Sequence, residues 1–128
     1  MKSVPVLLVT HDDLLWQHWR ALDPTRWLAA RGRGLADLQR WREQGRVLAV
    51  VDTGLPRLPS WQDPSWLPLL SGLQVVVASP SPNDEQGAQA LGAGALGYCH
   101  GYAPAQALAQ ALELSLIHIS EPTRQAEI

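Results

Sequence analysis

The sequence predicts an α/β domain: an open, mostly parallel five-stranded sheet with helices covering both faces. Three observations carry this. Five short apolar runs alternate with stretches of helical periodicity: VPVLLV (4–9), WLAA (27–30), VLAVV (47–51), LQVVVA (73–78) and ALGYC (95–99). Most of these runs are apolar throughout rather than every second residue, the pattern of strands buried on both faces. The chain has 128 residues, enough for one core, and no internal repeat.

Each connecting element has its own signal. After the first run, Asp12 or Asp13 caps a helix with Leu15, Trp19 and Leu22 at i, i+4 and i+7, closed by Asp23-Pro24. Leu35, Leu38 and Trp41 mark a short amphipathic helix ended by Gly45. Residues 53–72 are rich in Pro and Trp, with a helical turn or two around 65–70. Ser81-Pro82-Asn83-Asp84 supplies a cap, a first-turn proline and early acidic charge for a helix reaching about Gly92. Pro104 opens the last helix, with Ala105, Leu108 and Leu112 on one face.

Composition narrows the function classes. Apolar residues make up 46% of the chain, yet no run approaches the ~18 needed to span a bilayer, so a soluble protein without a membrane partner is expected. The start, MKSVPVLLV, reads as a first strand rather than a signal peptide. The lone Cys99 excludes an internal disulfide and fits a reducing cytoplasm. A net charge of -2 gives this segment no attraction for nucleic acid or anionic membrane.

The bias changes near the end. All three isoleucines (Ile117, Ile119, Ile128) fall in the last fifteen residues, after a stretch rich in Ala, Gly, Pro, Arg and Trp. Residues 114–128, LSLIHISEPTRQAEI, resemble a translated sequencing adapter, which in frame gives Leu114 through Arg124. This divides the chain into a domain over 1–113, its last helix truncated, and an artefactual tail over 114–128 that carries no function. The tail beyond about Ile119 is expected to pack on nothing, with Pro122 preventing simple continuation of the helix.

The chemistry centres on Asp52, in VVDTGLP. Asp-Thr-Gly is the triplet of aspartic proteases, which need two such loops. This chain has one, so only a homodimer completes the site, and its alternating pattern is not all-β. A small phosphotransferase using Asp52 is the other enzymatic alternative. It lacks a Gly-rich phosphate loop and an Asp-x-Asp after a strand.

In parallel sheets, ligands gather at the carboxyl ends of the strands. Those ends hold Thr10 and His11, Asp52, Ser79, and residues 98–101. Here residues 4–113 resemble the receiver domain of bacterial response regulators. Asp52-Thr53-Gly54-Leu55-Pro56 matches the phospho-acceptor pattern Asp-x-x-Met/Leu-Pro. Ser79 matches the Ser/Thr switch position, and Gly94-Ala95-Leu96-Gly97-Tyr98 matches Gly-Ala-x-Gly-Tyr, with Tyr98 as the switch aromatic. The resemblance implies a flavodoxin-like (CheY-like) doubly wound sheet of order 2-1-3-4-5. It implies no catalysis by the chain, but two-component signal transduction with a histidine kinase or other regulatory protein as partner, or a homodimer. It also implies a lost C-terminal output domain, through which alone DNA would be bound.

The departures point to a degenerate, pseudo-receiver site. Thr10 and His11 stand where the family has an acidic pair for Mg²⁺, and Gly101 stands at its lysine. Mg²⁺ is the one cofactor in question, with Asp52 and Asp12 as its only candidate ligands, and phosphorylation of Asp52 is doubtful. Of the remaining residues, His18 is expected to face solvent. His100 and Cys99 are expected on opposite faces of a strand, and the six Trp mostly in core and loop packing, with an exposed contact patch at Trp61 and Trp66 as the alternative.

Overall fold

A computed structural model describes residues 3–120, with side chains through residue 116. Val4–Val9 (β1), Trp27–Gly32 (β2), Leu48–Asp52 (β3), Gln74–Ser79 (β4) and Gly97–His100 (β5) form one sheet of order β2-β1-β3-β4-β5. Every pairing is parallel. The helices between them are Asp13–Trp19 (α1), Leu35–Glu43 (α2), Trp66–Ser71 (α3), Asp84–Ala93 (α4) and Ala105–Ser120 (α5). The expected doubly wound α/β architecture and its strand order are therefore present. Among the described residues, no helix is long and apolar enough to cross a membrane.

Strand alternation sorts the apolar side chains into two cores. Leu7, Val9, Ala49, Val51, Val75 and Val77 face α2, α3 and α4, meeting Leu38, Trp41, Trp66, Leu70 and Ala90. Val6, Leu8, Leu48, Val50, Val76 and Ala78 face α1 and α5, meeting Leu15, Trp19, Leu108 and Leu112. Because β1, β3 and β4 are covered on both sides, they read as unbroken apolar runs rather than alternating ones.

Local chemistry moves several boundaries. α1 ends at Trp19, before Asp23-Pro24, because Asp23 instead builds its own turn, accepting from Thr25 through both backbone and hydroxyl. The cap of α4 is Asn83, whose side chain accepts from Gln86 N, so Pro82 lies before the helix rather than in its first turn. Gly94, at φ +119°, closes α4, and Ala95 N bonds back to Ala90 O. β5 accordingly begins only at Gly97. α5 runs without a break across the 113–114 junction. Ser115 is buried with its hydroxyl donating to Ala111 O at 3.0 Å, and Leu116 packs against the α1/α5 core. The expectation about Pro122 lies outside the described residues.

One expectation about aromatic groups holds and one about an imidazole is corrected. Trp61 and Trp66 belong to the core and loop packing expected of most Trp, not to the alternative exposed patch. They are 8% and 1% exposed and stack on one another at 4.5 Å under the β3–α3 connection. Apolar area of that size is withdrawn from water wherever a concave surface allows it. His18, expected to face solvent, does not do so freely. It is half-buried, with Nε2 2.7 Å from Ala103 O.

Candidate functional site

Parallel pairing brings the carboxyl ends of β1, β3, β4 and β5 to one edge of the sheet, and Asp52 ends β3 there at 2% exposure. A carboxylate this buried needs donors. Its Oδ1 accepts from Gly54 N at 2.8 Å, and its Oδ2 accepts from Thr10 Oγ1 at 2.7 Å. The first bond explains Gly54: a Cβ there would lie 3.2 Å from Asp52 Oδ1 and crowd the carboxylate. Thr10, fully buried just after β1, also accepts from Asp12 N at 3.0 Å.

The neighbouring positions are occupied differently from the pattern of an acidic metal pair. His11 is exposed. Asp12 is the N-cap of α1, its Oδ1 accepting from Leu14 N at 2.9 Å and its Oδ2 from Tyr102 Oη at 3.1 Å. Mg²⁺ requires hard oxygen ligands in near-octahedral array. Here one carboxylate is already bonded to a hydroxyl, the next is spent on a helix cap, and the residue between is an imidazole. Among the described residues, no three His, Cys, Asp or Glu side chains converge. The donor set does not fit Mg²⁺.

The cation expected after β5 is absent from position 101. Gly101 is buried; its N donates to Ser79 O at 2.8 Å and its O accepts from Trp19 Nε1 at 2.9 Å. Ser79, the last residue of β4, is 1% exposed and its Oγ accepts from Ser81 N at 3.1 Å. Tyr98 lies on the other side of β5, its ring against Gly87. The Tyr98 hydroxyl donates to Gln86 Oε1 and accepts from Asn83 N at 3.1 Å. Cys99 packs in the α1/α5 core, where burial pushes its thiol up from the ordinary value, while His100 is exposed, so the two diverge as expected.

Sequence reasoning did not single out two residues of this region. Arg31, late in β2, donates from Nη2 to Thr10 O at 3.3 Å, pairs with Asp13 at 2.8 Å and lies 5.5 Å over the Trp16 ring. Its Nε is buried without a partner. The hydrogen bond from Arg31 and its positive charge hold the Asp13 carboxyl below its usual range. Tyr102 is 40% exposed, beside the His18 ring at 5.5 Å. Its hydroxyl is pushed up from its ordinary value, first by desolvation and then by Asp12, with Asp52 adding to it. The only sequence signal for either was an arginine directly after the second apolar run and an aromatic beside the lysine position.

No family model and no curated protein matches this sequence. Solved structures do match its fold. A LuxR-family two-component response regulator from an Aurantimonas species superposes with a TM-score of 0.74 at 18% identity, covering 91% of this chain and 86% of that one. A CheY-like response regulator receiver domain protein from Methanospirillum hungatei gives 0.73 at 15% identity, covering 94% and 99%. An atypical orphan response regulator, described as having a phosphorylation-independent regulatory mechanism, gives 0.62 at 20%, covering 88% and 95%. With the strand order and the strand-end aspartate already in place, the conclusion is that this chain has the fold of response regulator receiver domains.

Proposed function

We propose that residues 4–113 act as a receiver-type regulatory domain in two-component-type signalling, controlled through protein contacts rather than by phosphorylation of Asp52. The observation carrying this is the Asp52 pocket itself: Thr10 Oγ1 bonds the carboxylate at 2.7 Å, and a buried glycine stands at the cation position. Phosphoryl transfer relies on positioning and on neutralising charge. Phosphorylation would replace the single charge of the Asp52 carboxylate with an acyl phosphate carrying roughly 1.5–2 negative charges, in a buried site where Thr10 offers only a neutral hydroxyl. The likeness to the atypical orphan regulator supports the same reading.

On this reading the partners are a histidine kinase or another regulatory protein, or a second copy of the chain, and the setting is the cytoplasm. DNA would be reached only through a C-terminal output domain, as the likeness to a LuxR-family regulator suggests. Asp52-dependent catalysis is not favoured, since Asp52 is paired with a threonine hydroxyl rather than a second carboxylate.

The test is a titration of the full chain with Mg²⁺ and beryllofluoride, a mimic of the phosphoryl group, followed by Trp fluorescence and amide NMR. A folded sample that gives no saturable response up to millimolar metal supports the proposal. Saturable shifts around Asp52, Ser79 and Tyr98 that disappear in Asp52→Asn would overturn it.

A further inference from the structure

The hydrogen bonds around Asp52 continue past Thr10 to the surface. The Thr10 hydroxyl has one proton, and because its oxygen accepts from Asp12 N (3.0 Å), that proton is committed to Asp52 Oδ2 (2.7 Å). Asp12 then holds Leu14 N through Oδ1 and Tyr102 Oη through Oδ2. Tyr102 belongs to the β5–α5 connection, which α1 grips at two further points: His18 at Ala103 O and Trp19 at Gly101 O.

We propose that the state of Asp52 is relayed to the protein surface through Thr10, Asp12 and Tyr102, at the junction of the α1 N-terminus with the β5–α5 connection. Anything that occupies Asp52 Oδ2 takes the acceptor from the Thr10 proton. The hydroxyl must then reorient, the bond it accepts from Asp12 N is weakened or displaced, and the cap that holds Tyr102 is disturbed. Both ends of the first bond are buried, so water does not replace the lost partner cheaply.

The alternative route is not connected. Ser79 Oγ is held by Ser81 N, while the Tyr98 hydroxyl is tied to Gln86 and Asn83 on α4. No hydrogen bond joins Asp52, Ser79 and Tyr98 among the described residues. The exit is therefore the face carrying Tyr102, 40% exposed, and Leu14, 69% exposed, rather than α4. This inference rests on the regulatory reading of Asp52 only for its use in signalling, and the coupling is measurable without any phosphodonor.

The experiment is amide NMR and hydrogen exchange on the full chain carrying Asp52→Asn. The substituted amide offers one oxygen to two donors, Gly54 N and Thr10 Oγ1, so one of them must give way. Shifts are expected at Thr10, Asp12, Leu14 and Tyr102, with exchange at the Asp12 amide rising on the order of tenfold, the equivalent of one lost hydrogen bond. In Asp52→Asn/Thr10→Val the additional shifts at Asp12 and Tyr102 relative to Thr10→Val alone should vanish. The reciprocal variant, Tyr102→Phe, removes only a surface hydroxyl and should move the Thr10 and Gly54 amides.

Shifts that run to Asn83, Gln86 and Tyr98 while Tyr102 stays still would overturn the relay, as would a double variant that behaves like Asp52→Asn alone. If Asp52→Asn fails to fold, unmoved Thr10 and Gly54 amides in Tyr102→Phe overturn it equally. A beryllofluoride response that also moves Asp12 and Tyr102 would sink the phosphorylation-independent reading and leave the relay standing, whereas one confined to Ser79 and Tyr98 would sink both. Failure of the relay leaves that reading intact.

Discussion

Replacing Thr10 by valine keeps the side chain's shape and removes its hydroxyl. Thr10 is fully buried and Asp52 is 2% exposed, so the lost 2.7 Å bond is not replaced by water. A hydrogen bond to a charged group is worth about 1.5–3 kcal/mol. Asp12 N also loses its 3.0 Å acceptor, worth up to about 1 kcal/mol at its half-exposed position. Against this stands the extra buried methyl, about 0.8 kcal/mol. The net expectation is a destabilisation of about 1–3 kcal/mol, which for a domain of this size lowers Tm by roughly 4–12 °C. Urea denaturation followed by Trp fluorescence measures it, with an unchanged slope showing that the unfolded surface is the same. Thr10→Ser, which retains the hydroxyl, serves as control and should lose less. Stability of Thr10→Val within about 0.5 kcal/mol of the parent, or a Thr10→Ser variant weaker than Thr10→Val, would show that Asp52 does not depend on this hydroxyl.

Other expectations follow from the same packing and charge arguments. Gly87→Ala gains up to about 1 kcal/mol of helix propensity, but its Cβ would meet Tyr98 Cδ2 at 2.9 Å. Overpacking of that kind costs about 1–3 kcal/mol, so a net loss is expected in chemical denaturation, and a more stable variant would refute the contact. Glu113 is held below its ordinary value by its hydrogen bond and ion pair with Arg26 at 2.7 Å. A depressed carboxylate stabilises above its unfolded pKa and ceases to do so as pH falls through the folded one. The stability gap between the parent and Glu113→Gln, no more than about 1 kcal/mol for so exposed a pair, should therefore be present at neutral pH and vanish in the acid carboxylate range. A gap that persists or widens at acid pH contradicts it. Burial raises the Cys99 thiol, so alkylation by iodoacetamide near neutral pH should run roughly tenfold or more slower than for a free thiol. Equal rates would mean that the strand edge opens readily.

Gly101→Lys together with Thr10→Asp tests what the site lacks. A Cβ at Gly101 meets Leu15 Cδ1 at 3.4 Å and the Ser79 carbonyl carbon at 3.5 Å, ordinary contacts that a side chain tolerates. The double variant should fold and gain a Mg²⁺-dependent beryllofluoride response. A folded double variant without that response would place the defect elsewhere.

The sequence alone was sufficient for the order of elements, the parallel sheet, the two-sided burial of β1, β3 and β4, and the position of Asp52 at a strand end. Those properties follow from apolar runs, caps and turn residues, which act within a few positions of one another along the chain. Helix ends were less legible where a polar side chain had a competing local use, as at Asp23 and Asn83. The environment of Asp52 was decided only in three dimensions. Thr10 is 42 residues from Asp52, and Tyr102 is 90 from Asp12. Arg31 reaches Thr10 from the neighbouring strand, and Trp61 and Trp66 find each other under a connection whose path no periodicity describes. Local preference places a residue on a strand or at a cap, but which donor meets a buried carboxylate depends on strand register and helix docking, and these are set by the closing of the two cores.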